Sequence, residues 1–113
     1  MLKELPVIRQ RGVCCELPEV DSAWAESRAG LLKALADPTR LTMLAALWKA
    51  DAPICICDFT GSLDLSQPTI SHHMGKLKEA GLVEAEKTGI WIYYRLRGDL
   101  PAPTRQVLSG LLS

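Results

Sequence analysis

Ser66 to Leu96 narrows the fold more than any other stretch: a helix with a marked start and stop runs straight into a hairpin pattern. Ser66 is a favoured N-cap, and Pro68 falls in the first turn, where its missing N–H does no harm. Gly81 supplies the C-terminal stop after Ala80. Between them Ile70, Met74 and Leu77 share one face when about 100° is allowed per residue. "LVEAEKTGIWIYYRL" follows, rich in β-branched and aromatic residues, and predicts a β-hairpin turning at Lys87-Thr88-Gly89.

Three helices precede this unit and one follows it. Asp21 or Ser22 caps a first helix that runs to about Ala36, with Trp24, Arg28, Leu31, Leu32 and Leu35 at helical spacing. Asp37 and Pro38 open a second, whose expected buried stripe is Leu41, Leu44, Ala45 and Trp48. Asp51-Ala52-Pro53 ends it. Ile54 to Cys57 reads as an extended stub, and a short helix continues to about Leu63. Pro101 and Pro103 start a closing helix with Val107, Leu108, Leu111 and Leu112 on its apolar side. This order predicts a mainly α (α+β) fold, a winged helix-turn-helix with a two-stranded β-hairpin wing. Residues 1–20, with Pro6, Gly12 and Pro18 and no periodicity, read as a flexible N-terminal arm. Residues 21–113 form the DNA-binding and dimerisation domain.

The Ser66 helix has an outer face of small polar groups: Thr69, Ser71, His72, Gly75 and Lys76. Such a face suits close approach to DNA better than the Glu/Lys mixture of a solvated helix. Gln67 lies in the first turn, the part of a recognition helix that meets the groove. His72, Ser71 and Thr69 are placed for phosphates or base edges. His73, at the edge of the core, is expected to pack and to make an intramolecular hydrogen bond. Lys87 at the hairpin tip and Arg95 on the return strand are candidates for backbone phosphates. Against this stands the charge: thirteen basic and thirteen acidic residues give a formal net charge of zero. DNA binding must then rest on local placement of charge and on two-fold avidity, since phosphate neutralisation drives affinity. A winged-helix interaction module that never touches DNA is the reading this neutrality favours.

Four cysteines stand as two pairs, Cys14-Cys15 in the arm and Cys55 and Cys57 ahead of the short helix. On a regular helix residues two apart point away from each other, but in an extended segment they share a face. At a strand-to-helix junction both thiols can turn to one side, where the helix N-terminus favours thiolates and Asp58, a candidate cap, opposes them. No apolar run is long enough for a signal peptide or a membrane span, so a cytoplasmic protein is expected, with its thiols reduced. Thiols in such a chain are ligands or redox groups rather than staples. Buried cysteines acting as small hydrophobes are the plainer alternative. Three sulfurs suit As(III) or Sb(III), whose lone pair takes the fourth direction; four suit Cd(II), Pb(II) or zinc. A homodimer lets one subunit's arm cross to the other's short helix. No nucleophile neighbours His72 or His73 and no phosphate-cradling loop is present, so an enzyme is not expected.

"LKALADPTRLTMLAAL", "ICICDFTGSLDLSQPTISHHMGKLKEAGLV" and "KTGIWIYYRL", in that order, resemble the ArsR/SmtB family of metal-responsive repressors. The resemblance covers about Leu31 to Leu96 and implies a homodimeric repressor of a metal- or metalloid-resistance operon that leaves its operator when the ion binds. Cys55 and Cys57 fall on the family's Cys-x-Cys. A third cysteine that one arsenic-sensing branch carries is here Thr60; the resemblance implies that Cys14 or Cys15 can supply the missing sulfur, and Cys14, Cys15 and Cys55 are the expected ligands, with Cys57 a fourth ligand or a packing thiol. The Cys14-Cys15 doublet resembles arsenic-sensing members, which favours As(III) or Sb(III) over Cd(II) or Pb(II). The zinc-sensing members' His and carboxylate ligands on the last helix have no counterpart in Pro101 to Ser113. A thiol-redox switch on the same DNA-binding frame is the further alternative.

Overall fold

Local capping chemistry sets the helix borders. The computed structural model describes residues 16–113. In chain order it has α1 (Ser22–Leu35), α2 (Pro38–Ala50), β1 (Ile54–Cys55), α3 (Ile56–Leu63), α4 (Gln67–Glu79), β2 (Val83–Thr88), β3 (Trp91–Leu96) and α5 (Ala102–Leu112). Asp21 caps α1 by accepting from the Ala23 N–H at 3.0 Å. Asp37 caps α2 by accepting from the Arg40 N–H at 2.9 Å, with Pro38 in the first helical turn. Ser66 caps α4 through the Thr69 N–H. At the far end of α4, Gly81 takes φ +75 and donates to the Lys78 carbonyl, while Leu82 donates to Leu77. That is a Schellman closure, and it turns the chain directly into β2.

α3 and α4 form the helix-turn-helix, joined by the three residues 64–66. Asp64 makes the reversal at φ 53, a left-handed conformation that Asp and Asn adopt more readily than other side chains. β2 and β3 pair antiparallel from Val83↔Leu96 to Thr88↔Trp91, so the turn residues are Gly89 and Ile90. Lys87 and Thr88 therefore belong to the strand, not to the turn. Gly89 has φ +63 and Ile90 does not have a positive φ, the pattern of a two-residue II′ turn. β1 adds a third strand on the other side of β3, with Ile54 opposite Tyr94 and Cys55 opposite Tyr93. The extended stub is thus a short edge of the wing sheet.

The core joins Ile70, Met74 and Leu77 of α4 to Met43, Leu44 and Leu47 of α2. Ile56 and Phe59 of α3, Leu82, Val83, Tyr94, Leu108 and Leu112 complete it. The expected α2 stripe is only partly right: Leu44 is buried, but Leu41, Ala45 and Trp48 are half-buried, and Met43 and Leu47 are inside instead. α2 is packed by α1, α4, α5 and β3, so it buries more than one stripe. α1 buries only Ala34 and Leu35, leaving Trp24 51% and Leu32 59% exposed. α5 seats Leu108 and Leu112 and leaves Val107 and Leu111 outside.

The two kinds of glycine predict opposite responses to alanine. At Gly81 an added methyl would meet open space, but the positive φ strains any side chain, so Gly81→Ala should lower the unfolding free energy by about 1–2 kcal/mol. Gly61 lies within α3 with equally open space, so Gly61→Ala should raise it by roughly 0.5–1 kcal/mol. Urea denaturation of both variants checks this, and equal effects would contradict it.

Candidate nucleic-acid interface and thiol pair

The seat of α4 decides which of its side chains face outward. With Ile70, Met74 and Leu77 buried, Gln67, His72 and Lys76 are exposed, and Thr69, Ser71 and Gly75 are half-buried. The outward face is the small polar one expected. Thr69 has a second task, because its hydroxyl lies 2.9 Å from the Ser66 hydroxyl within the cap. Lys76 and Lys78 stand in the last turn, where positive charge complements the helix dipole.

On the wing, Lys87 is exposed, with Ile92 as its cross-strand neighbour. Arg95 is not a free cation: its Nε donates to Glu84 Oε1 at 2.6 Å, across the strand pair Glu84↔Arg95. Arg95 is exposed and Glu84 half-buried, so the pair is open to solvent and weak, and Arg95 can exchange Glu84 for a phosphate at modest cost. The pair depends on the hairpin register. A turn centred on Thr88 would have set Arg95 opposite Gly81 and hidden it.

His73 packs as expected, but its expected hydrogen bond is not formed. Nδ1 is buried without a hydrogen-bond partner, and the nearest acid, Asp37 Oδ2, is 3.8 Å away. That separation exceeds hydrogen-bonding range. Asp37 itself is held below the ordinary carboxylate range, chiefly by the Arg40 N–H it accepts, with the Arg40 and His73 charges adding to this against the effect of burial.

The thiols of Cys55 and Cys57 do turn to one side. Cys55 is the last residue of β1 and the N-cap of α3, in extended conformation; Cys57 lies in the first turn of α3. This change of backbone brings the two Sγ atoms to 2.9 Å. Cys55 is buried opposite Tyr93, whereas Cys57 is exposed. Asp58 does not cap α3, which starts without a side-chain cap bond; it occupies the first turn.

The expected thiolate preference is reversed at Cys57. Its thiol is pushed above the ordinary range, first by donating to Cys55 Sγ, then by burial, the Cys55 charge and the Asp58 charge. The Asp58 N–H pulls the other way, more weakly. A soft ion binding here must displace protons, as thiolate ligation requires. Two sulfurs make half of a four-thiolate site. Among the described residues no three His, Cys, Asp or Glu side chains cluster to complete it. Cys14 and Cys15 lie outside the described residues.

The family described as "Bacterial regulatory protein, arsR family" matches residues 37–85, from the Asp37 cap through the first half of β2. The arsenic resistance transcriptional regulator ArsR2 of Pseudomonas putida is 35% identical over 84 residues, covering 73% of this chain and 70% of that one. The chain belongs to the arsR family. Another relative, the arsenic resistance transcriptional regulator ArsR1 of Pseudomonas putida, is 38% identical over 82 residues, 73% of this chain; the match spans 63% of that regulator, under two thirds of its length. The cadmium resistance transcriptional regulatory protein CadC of Listeria innocua is 38% identical over 71 residues, 63% of this chain and 59% of its own. In fold, the homodimeric winged helix-turn-helix DNA-binding domain Mb0332 of Mycobacterium bovis superposes with a TM-score of 0.68 at 26% identity, covering 87% of this chain and 86% of that one.

As a member of that family of bacterial regulatory proteins, the chain carries a winged helix-turn-helix fold. Among the described residues no helix is long and apolar enough to cross a membrane.

Proton sharing between the two sulfurs makes a direct prediction. With Cys14→Ser and Cys15→Ser as background, iodoacetamide should modify exposed Cys57 and spare buried Cys55. Adding Cys55→Ala removes the largest cause of the raised Cys57 value, so the pH profile of alkylation should move to lower pH. Asp58→Asn should move it the same way by less. Peptide mass spectrometry reads the rate at each pH; an unmoved profile in Cys55→Ala would contradict the arrangement.

Proposed function

We propose that this chain is a repressor, a cytoplasmic homodimer that holds double-stranded operator DNA in its ion-free form and releases it when As(III) or Sb(III) is captured by cysteine thiolates. The observation that carries this reading is the pair of Sγ atoms 2.9 Å apart at the start of α3, the helix that leads into α4. Two convergent thiols suit a soft ion better than a hard one. The names of the Pseudomonas putida relatives, both arsenic resistance regulators, support the metalloid. The Listeria innocua relative, a cadmium resistance regulator, supports Cd(II) or Pb(II) as the second reading.

In this account Cys55 and Cys57 are two ligands and the arm, residues 1–20, brings Cys14 and Cys15 as the others. Gln67, Thr69, Ser71, His72 and Lys76 meet bases and phosphates from α4; Lys87 and Arg95 meet phosphates from the wing. Two copies are needed to set two recognition helices into successive grooves. The exposed apolar side chains of α1 and α5, Trp24, Leu32, Val107 and Leu111, support that pairing; the groove of about 820 Å³ beside them mixes Leu31, Leu100 and Val107 with charged Arg28, Lys76 and Glu79. Covering these side chains with a second copy would remove them from water. Burying Cys57 and fastening the arm shifts α3, and α3 carries α4 with it because Phe59 and Ile56 share its core. A coupling of about 1–3 kcal/mol is ordinary for such switches, roughly a five- to 150-fold change in affinity.

The test uses a duplex selected by the reduced full chain from a random-sequence pool. Arsenite should weaken its binding at least about fivefold. Cys14→Ser with Cys15→Ser, and separately Cys55→Ser with Cys57→Ser, should bind the duplex but ignore arsenite. Unchanged release in either double variant, or no release of the unsubstituted chain, would overturn the reading.

A further inference from the structure

His73 is the one described side chain with a buried polar atom that has no partner. Such an atom has lost its water without gaining a partner, so each instance calls for an explanation. Its surroundings supply one. Asp37 is a junction: its carboxylate caps α2 through the Arg40 N–H, and the Arg40 guanidinium reaches back to α1, donating to the Ala34 carbonyl at 2.7 Å and the Lys33 carbonyl at 3.0 Å. The end of α1 and the start of α2 are thereby tied together. His73, on the flank of α4, faces this junction across 3.8 Å and does not reach it. His73 is 18% exposed and Asp37 28%, so a charge pair between them is partly shielded from water.

We propose that His73 and Asp37 form a proton-operated latch that fixes the seat of the recognition helix. In the structure Nδ1 stands unpaired. Protonated, both ring nitrogens are donors and the ring carries a charge opposite to that of Asp37, which stays ionised through the mildly acidic range. The ring then closes on the carboxylate and holds α4 against the α1–α2 junction. A helix already held in place loses less freedom on docking, so operator binding tightens as pH falls. Histidine is the side chain that changes charge in this range.

The charged groups around His73 do not offer it another anion. From α2 they are Asp37 and Arg40; on α4 they are His72, whose ring centroid is 6.0 Å away, and Lys76 one turn on. α1 faces the junction with backbone carbonyls. The acids of α3 and β2, Asp58, Glu84 and Glu86, do not come within 4.0 Å of the ring. His73 is a positioning residue here: it does not touch DNA, and it acts through Asp37. The proposal rests on α4 being the DNA-reading helix and is independent of the inducing ion.

His72 is a second histidine, on the outer face of the same helix, so the test removes it first. In reduced, ion-free chain carrying His72→Gln, affinity for the selected duplex is measured from mildly alkaline to mildly acidic buffer at constant salt. Overall affinity falls with His72→Gln, but binding should still tighten roughly five- to tenfold toward acid, a coupling of ordinary size. Adding Asp37→Asn, which keeps a good helix cap and removes the charge, should flatten the profile, and so should adding His73→Gln. A slope that survives both additions, or no slope in His72→Gln itself, overturns the latch while leaving the DNA reading intact. Failure of the unsubstituted chain to select any duplex overturns both.

Discussion

The seating of α4 by Ile70, Met74 and Leu77 is the constraint on which the rest of the molecule depends. These three side chains are almost wholly inaccessible and lock into Met43, Leu44 and Leu47 of α2. A buried aliphatic side chain of this size contributes about 1.5–3 kcal/mol, so the helix cannot rotate without losing much of the core. Its outward face is therefore fixed as Gln67, Ser71, His72 and Lys76. Everything that changes DNA binding must tilt or loosen this seat as a unit, because close-packed interiors move between discrete arrangements rather than deform smoothly.

Two contacts lie where such a change would begin. At the front, the thiol pair sits at the junction of β1 and α3, where one residue is extended and the next ones helical. The geometry that brings the sulfurs together is a property of the backbone switch, and the β1–β3 pairing holds Cys55 still while Cys57 remains open to solvent. At the flank, His73 and Asp37 face each other without joining. One contact would respond to a soft ion and the other to protons, and both act on the same buried stripe. The neutral net charge makes this placement matter: with no general attraction to phosphate, small changes in the posture of α4 and the wing carry a larger share of the affinity.

What local chemistry determines is legible in the sequence. Asp37, Ser66 and Gly81 announce helix ends because caps act over three or four residues, and all three work as expected. The inner and outer faces of α4 are legible because one strong stripe runs through it. Pairings between distant segments are less visible. The third strand at Ile54 and Cys55, the Glu84–Arg95 pair and the position of the hairpin turn all depend on register, which no short window of sequence contains. Met43 and Leu47 escape such a reading because a helix packed from several sides has no single period of burial. The raised Cys57 thiol escapes it because the largest cause is the other sulfur, a contact that only the folded junction creates.

The central claim is mechanical continuity from the sulfurs to the recognition helix, and backbone hydrogen exchange tests it most directly. Exchange in peptides spanning residues 56–63 and 67–79 is compared in reduced protein with and without arsenite. Continuity predicts altered protection in both segments, abolished together by Cys55→Ala with Cys57→Ala. Protection that changes only around the sulfurs, with α4 exchanging as before, would contradict it.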